Sequence, residues 1–337
     1  MKTSKSHHPP IAFVVATMTP RFIRYAIALL ALAGLVACRG VRPEAPPGHL
    51  PLIVAHRGGT ADAPENTLEA IRLALAHGAD ALWLTVQLSA DGVPVLYRPA
   101  DLKALTDGSG PVAGVRAAQL AALNAGWQFR NAHGEFPYRQ HPVGIPTLRD
   151  ALRSIPAGMP IILDMKAEPA EPQADAVARV LTEEQAWARV TLYSTDAAYQ
   201  AAFSRYPQAR LFEARDTTRQ RLLDVLLAGH CGAAPDPQAP AAFEWRRKVA
   251  VVETFTLGEG HSSTDIAPWT PATVSCFRQQ PTQRLFVIGI SNEDDYRAAT
   301  CLGLDAVLMD SPATLAPIRE ALMRRGLRCA TDGSSMQ

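Results

Sequence analysis

From Leu52 onward the chain alternates short β-rich apolar runs with segments of helical period, and this alternation restricts the fold more than any other feature. Leu52-Ile53-Val54-Ala55 reads as a buried strand. A helix is predicted over 66–77, with Leu68, Ile71 and Leu75 on one face and Gly78 as its stop. The runs 81–88 and 93–97 flank Asp91-Gly92, a hairpin signal. Further strands are predicted at 161–165, 190–194, 209–213, 249–255, 284–290 and 306–309, and helices at 172–186, 217–229, 292–302 and 313–325. With 93–97 set aside as the antiparallel return of the hairpin, eight strands remain at βα spacing. That pattern predicts an α/β fold: a single closed (β/α)8 TIM barrel over 51–325, with a short β-hairpin insertion after strand 2. The stretches 100–144 and 230–247 read as loops or insertions, and 326–337 as a C-terminal tail. No internal repeat is visible.

Composition agrees with a large core. Of 337 residues 47% are hydrophobic, and 22 glycines with 27 prolines are too few for a low-complexity chain. Basic and acidic residues number 33 and 32, so no basic surface advertises nucleic acid as a partner. The N-terminus has its own logic. Tyr25 to Ala37 is an uncharged apolar run of thirteen residues preceded by Arg21 and Arg24, a signal-peptide pattern too short to span a bilayer permanently. Residues 1–37 are therefore expected to be a signal peptide, with Met18 as the natural start. The run ends in Leu35-Val36-Ala37-Cys38, which resembles the lipobox of bacterial lipoproteins. This implies a lipidated Cys38, a tether over 38–50, and a protein of the bacterial cell envelope anchored to the membrane through lipid. Arg39, rather than Asp, favours the periplasmic face of the outer membrane. Removing 1–37 takes away Lys2, Lys5, Arg21 and Arg24 and no acid, leaving a mildly acidic chain. Cys231, Cys276, Cys301 and Cys329 then permit two disulfides in three connectivities, or buried thiols.

In a barrel of this kind, functional groups sit where strands end at their C-terminal side. The first strand ends in Ala55-His56-Arg57-Gly58-Gly59: a proton-transfer group, a bidentate phosphate partner, and backbone able to approach a ligand. Pro64-Glu65-Asn66-Thr67 opens the next helix and Gly78-Ala79-Asp80 closes it. Then come a strand, the Asp91-Gly92 turn and Val93-Pro94-Val95-Leu96-Tyr97.

This ordered set resembles the glycerophosphodiester phosphodiesterase family. The likeness continues through Asp101-Leu102, Leu105-Thr106, Gly108, Ile145-Pro146-Thr147-Leu148 and Ile162-Leu163-Asp164-Met165-Lys166. It ends at Gly303-Leu304-Asp305-Ala306-Val307-Leu308-Met309-Asp310-Ser311-Pro312, and so covers about 52–322. The resemblance implies phosphodiester hydrolysis by two histidines, with a divalent cation held by three carboxylates. The first histidine matches His56. The Glu-x-Asp pair of the second strand falls on Trp83-Leu84-Thr85, the second histidine on Arg98, and the third carboxylate on Asp164, with Lys166 retained.

Those departures carry a consequence. Calcium and magnesium take several hard oxygen ligands, usually more than one carboxylate, and Asp164 alone would hold either poorly. Arg98 is too basic to exchange protons near neutrality. In the first reading the protein is a degenerate relative, a pseudoenzyme that needs no cofactor. It binds a phosphate ester or glycerophosphodiester through Arg57, Glu65, Asn66, Arg98 and Lys166, with Trp83 packing on the ligand or plugging the cavity. In the second, phosphoric diester hydrolysis survives at a rearranged calcium or magnesium site built from Glu213, Glu253 and Asp310, with His56 and His261 as acid and base.

Overall fold

The computed structural model describes residues 49–327 and Cys329. The predicted signal peptide, Cys38, nearly all of the tether and most of the tail lie outside these residues. The elements run β1 (Leu52–His56), α1 (Leu68–Ala76), β2 (Ala81–Leu88), β3 (Pro94–Leu96), α2 (Ala117–Ala122), α3 (Leu148–Ser154), β4 (Ile161–Met165), α4 (Ala170–Glu183) and β5 (Val190–Tyr193). They continue with α5 (Ala198–Phe203), α6 (Arg215–Ala228), β6 (Ala241–Glu244), β7 (Arg247–Phe255), β8 (Gly258–Ile266), α7 (Pro271–Phe277), β9 (Leu285–Ile288), α8 (Glu293–Cys301), β10 (Ala306–Met309) and α9 (Pro312–Arg325).

Seven parallel strands form one curled sheet in the order β5-β4-β2-β1-β10-β9-β6, an α/β architecture of TIM-barrel type. β3 pairs antiparallel with the end of β2 across Ser89–Val93. Between the edge strands runs the segment 210–213. Leu192 N donates to Arg210 O (2.8 Å), Phe212 N to Leu192 O (2.9 Å), and Glu213 N to Pro240 O (2.8 Å).

Strand alternation explains the two sides of the sheet. Val54, Ala81, Trp83, Ile162, Tyr193, Phe212, Ala242, Phe286, Ala306 and Leu308 pack together inside the curl. Their neighbours Ala55, Leu82, Leu84, Leu163 and Leu192 face out against α1, α3 and α4. Ile53, Phe243, Val287 and Val307 do the same against α7, α8 and α9.

Two strand assignments are corrected, the first being 209–213, which forms no regular strand and meets β5 through the single bridge Leu192–Leu211. The run 249–255 is not a strand of the curled sheet; it lies in β7, which among the described residues pairs only with β8 in a separate two-stranded ribbon. The sheet strand is instead β6, inside the 230–247 stretch read as irregular. A β-branched run such as Val249–Val252 satisfies a ribbon as well as a core, whereas Ala241-Ala242-Phe243-Glu244 is short, alanine-rich and preceded by prolines. The stretch 100–144 also holds more order than expected, including α2. The four cysteines pair as Cys231–Cys276 and Cys301–Cys329, tying the approach to β6 to α7 and the tail to the end of α8.

Candidate functional site

His56 is the last residue of β1, and its neighbour strand β10 leads directly into Asp310. The register Ala55↔Met309 brings the two together, and His56 Nδ1 lies 2.7 Å from Asp310 Oδ1. With the carboxylate accepting, Nδ1–H donates and Nε2 is left for proton exchange with a ligand. The His56 hydrogen bond, outweighing partial burial, holds the Asp310 carboxyl below its ordinary range; Thr60 and the charge of Arg57 add to the effect.

The turn after β1 is held in an unusual conformation. Arg57 (φ 51°) and Asn66 (φ 60°) are non-glycine residues in the left-handed region, and Asn66 N donates to Arg57 O at 2.7 Å. Asn66 Oδ1 in turn accepts from Thr85 N (2.8 Å), bolting this loop to β2. Arg57 Nη1 donates to Glu65 Oε2 at 2.6 Å. Gly58 lies so close to α1 that a Cβ there would come within 3.0 Å of Ala70 Cβ.

On β4, Asp164 accepts from Lys166 Nζ at 2.7 Å, with Thr195 Oγ1 3.4 Å from the same ammonium. Burial pushes the Asp164 carboxyl up, opposed by Lys166, the Trp83 indole and the Arg57 charge. Trp83 stands level with His56 in the register and is 2% exposed. Its ring centroid lies 4.7 Å from that of Tyr193 and 5.7 Å from that of Phe212. It fills the interior of the curl. Thr85 is buried too, and its hydroxyl has no hydrogen-bond partner among the described residues.

Arg98 is exposed. Its carbonyl accepts from Gln87 Nε2 (3.1 Å), and among the described residues its guanidinium makes no ion pair with the groups above. The carboxylates considered for a rearranged site are spread apart. Glu213 is clamped by Arg221 (2.7 Å) and Thr218 (2.7 Å), Asp310 by His56, and Glu253 and His261 sit exposed on the ribbon. No group of three or more His, Cys, Asp or Glu side chains gathers in a metal-holding arrangement among the described residues. The positions given to a divalent cation by resemblance hold an indole, a buried hydroxyl and a carboxylate with an ammonium seated on it, a set that does not fit one.

Tyr193, Arg215, Glu244 and Arg247 stand in none of the motifs above and yet join this rim. Arg215, at the start of α6, donates to Tyr193 Oη (3.0 Å) and to Glu244, and Arg247 Nη1 reaches Glu244 Oε1 at 3.0 Å. Burial pushes the Tyr193 phenol up against the pull of Arg215. These groups come from the last residues of β5 and β6 and the first residues of α6 and β7, so only the strand-end positions of Tyr193 and Glu244 could have marked them. The assembly holds three arginines and a lysine, each on a carboxylate, and so offers many N–H donors in a partly buried setting.

The sequence profile of the glycerophosphoryl diester phosphodiesterase family matches residues 56–314. Uncharacterized protein Rv2277c of Mycobacterium tuberculosis (strain ATCC 25618 / H37Rv) is 49% identical over 293 residues, 86% of this chain and 96% of that protein. The crystal structure of its glycerophosphoryl diester phosphodiesterase domain superposes with a TM-score of 0.75 at 48% identity, covering 80% of this chain and 99% of the other. The Oleispira antarctica phosphodiesterase OLEI02445, solved in complex with the product sn-glycerol-3-phosphate, gives a TM-score of 0.60 at 24% identity, over 81% of this chain and 97% of that one. That last likeness concerns the fold.

Proposed function

The chain belongs to the glycerophosphoryl diester phosphodiesterase family, and we propose that it is a degenerate member that binds a phosphate ester or phosphodiester without metal-dependent hydrolysis. The seating of Lys166 Nζ on Asp164, 2.7 Å away, carries this reading: a protein cation stands at the carboxylate where the family resemblance puts a metal. Arg57 and Lys166 then supply the charge that meets phosphate, with Arg215 and Arg247 close to the same rim. The hydrogen bonds of 210–213 to both edge strands support a closed (β/α)8 barrel with the β2–β3 hairpin as its insertion. The lipobox-like Leu35–Cys38 supports a lipoprotein of the bacterial envelope, facing the periplasm from the outer membrane.

Calorimetry with sn-glycerol-3-phosphate, the ligand of the Oleispira relative, tests the reading in the presence of a chelator. Binding should persist without metal, weaken as salt rises, and be lost in Arg57→Ala. No glycerol phosphate should be released from glycerophosphocholine with calcium, magnesium or manganese; turnover abolished by a chelator would overturn the proposal. The His56–Asp310 pair favours a second reading, residual acid–base chemistry that needs no metal. Its mark would be slow hydrolysis indifferent to chelator and absent in His56→Ala. Acylation of Cys38, read by mass spectrometry of the membrane fraction, tests the anchor.

A further inference from the structure

β7 and β8 form a ribbon with nine residues in each strand, joined only by Thr256 and Leu257. Phe255 pairs with Gly258 across this two-residue connection, so these two point their N–H and C=O groups at each other. Alternation fixes the rest of β7. Arg247, Val249, Val251 and Glu253 turn their backbone groups toward β8, while Lys248, Ala250, Val252 and Thr254 turn theirs to the outer edge. Among the described residues no strand pairs with that edge. A lone two-stranded ribbon is marginal in water, and a long strand edge is a template for another strand. Val252 (53% exposed) and Phe255 (60%) lie along it, and Leu257 at the tip is fully exposed.

The charge pattern of β7 selects the partner. In antiparallel pairing of the edge with itself about a twofold axis, residues on one face of the ribbon meet residues on the same face, so the axis passes between one residue and its own copy. Centred on Ala250, the register sets Lys248 opposite Val252, Val249 opposite Val251 and Arg247 opposite Glu253, the last pair occurring twice. Shifting the centre to Val252 sets Glu253 opposite Val251 and loses both ion pairs. A bilayer is a poor occupant, since it offers no partners to backbone groups and Glu253 and Glu259 flank the tip. We propose that the outer edge of β7 pairs with the same edge of a second copy, centred on Ala250, to give a continuous four-stranded sheet and a symmetric dimer.

Disulfide trapping in the full chain tests the register directly. Opposed residues of a hydrogen-bonded antiparallel pair have Cα atoms about 5.5 Å apart, within disulfide range. Under mild oxidation Ala250→Cys should therefore run at twice the chain mass on a non-reducing gel. Thr254→Cys, which would face residue 246, should stay at single mass. Ala250→Pro removes an outward N–H while leaving the β7–β8 ladder untouched, and it should abolish association in sedimentation. Glu253→Arg should weaken the dimer about tenfold. Single mass for Ala250→Cys, or equal trapping of Thr254→Cys, would overturn the proposal.

Discussion

The two ends of the curled sheet treat their charged residues differently. At the N-terminal ends of the strands, Gly78-Ala79-Asp80-Ala81 and Gly303-Leu304-Asp305-Ala306 make the same clamp twice. Asp80 N donates to Ile53 O while its Oδ2 accepts from Ile53 N (2.7 Å) and Arg319; Asp305 N donates to Leu285 O while its Oδ2 accepts from Leu285 N (2.6 Å) and Arg278 (2.9 Å). Each aspartate grips the start of the neighbouring strand and one arginine. At the C-terminal ends, the positions that the family resemblance gives to two acids and a second histidine carry Trp83, Thr85 and Arg98. Family likeness on this chain thus certifies the scaffold at one end and leaves the activity at the other to be argued from its side chains.

Trp83 offers the largest test of that contrast. If it belongs to the scaffold rather than to ligand recognition, Trp83→Ala should cost about 3–5 kcal/mol of stability, the range for emptying a buried aromatic position. Urea midpoints measure the loss, and glycerol 3-phosphate affinity of the folded fraction should change little. A stable variant that no longer binds would move Trp83 into the site.

The clamps come next. Asp80→Ala leaves the Ile53 N–H and the Arg319 guanidinium without their acceptor, an expected loss of about 2–3 kcal/mol in urea unfolding. Asp305→Ala should behave alike through Leu285 and Arg278. Neither should alter binding at the other end of the sheet. Unequal losses would mean that the two motifs, alike in sequence and bonding, are not equivalent in the fold.

The pattern of apolar runs made the fold largely legible. β1, β2, β4, β5, β9 and β10 overlap the predicted runs because a strand buried on both faces reads as continuous apolar sequence. β6 did not, because four residues with two alanines carry little signal, and β7 drew the assignment because Val249–Val252 looks like core. The site was legible one residue at a time. His56 and Arg57 announced themselves, and Asp164 and Lys166, two apart at a strand end, share a face. The His56–Asp310 contact spans 254 positions and the Arg215–Glu244 pair joins a helix start to a strand end, so each exists only once the sheet has curled.

The smallest predicted effect separates two carboxylates of the same rim by the sign of their pH dependence. Asp310 is held below its ordinary value of 3.8 by the His56 hydrogen bond. Its contribution to stability is therefore present above that value and lost as pH falls through the lower folded value. Asp164 is raised by burial, so the folded state takes up its proton more readily than the unfolded chain does. Its contribution is full below 3.8 and declines as pH rises through the raised value. Urea midpoints followed from pH 3.8 downward for Asp310 and upward for Asp164 should show the two slopes opposed. Asp310→Asn should remove the loss on the acid side, and Asp164→Asn the decline on the neutral side. Asp310 is more than half exposed, so solvent keeps its share small. An acid limb unchanged in Asp310→Asn would mean that His56 and Asp310 are not coupled in solution, and with that the second reading of the site would lose its basis.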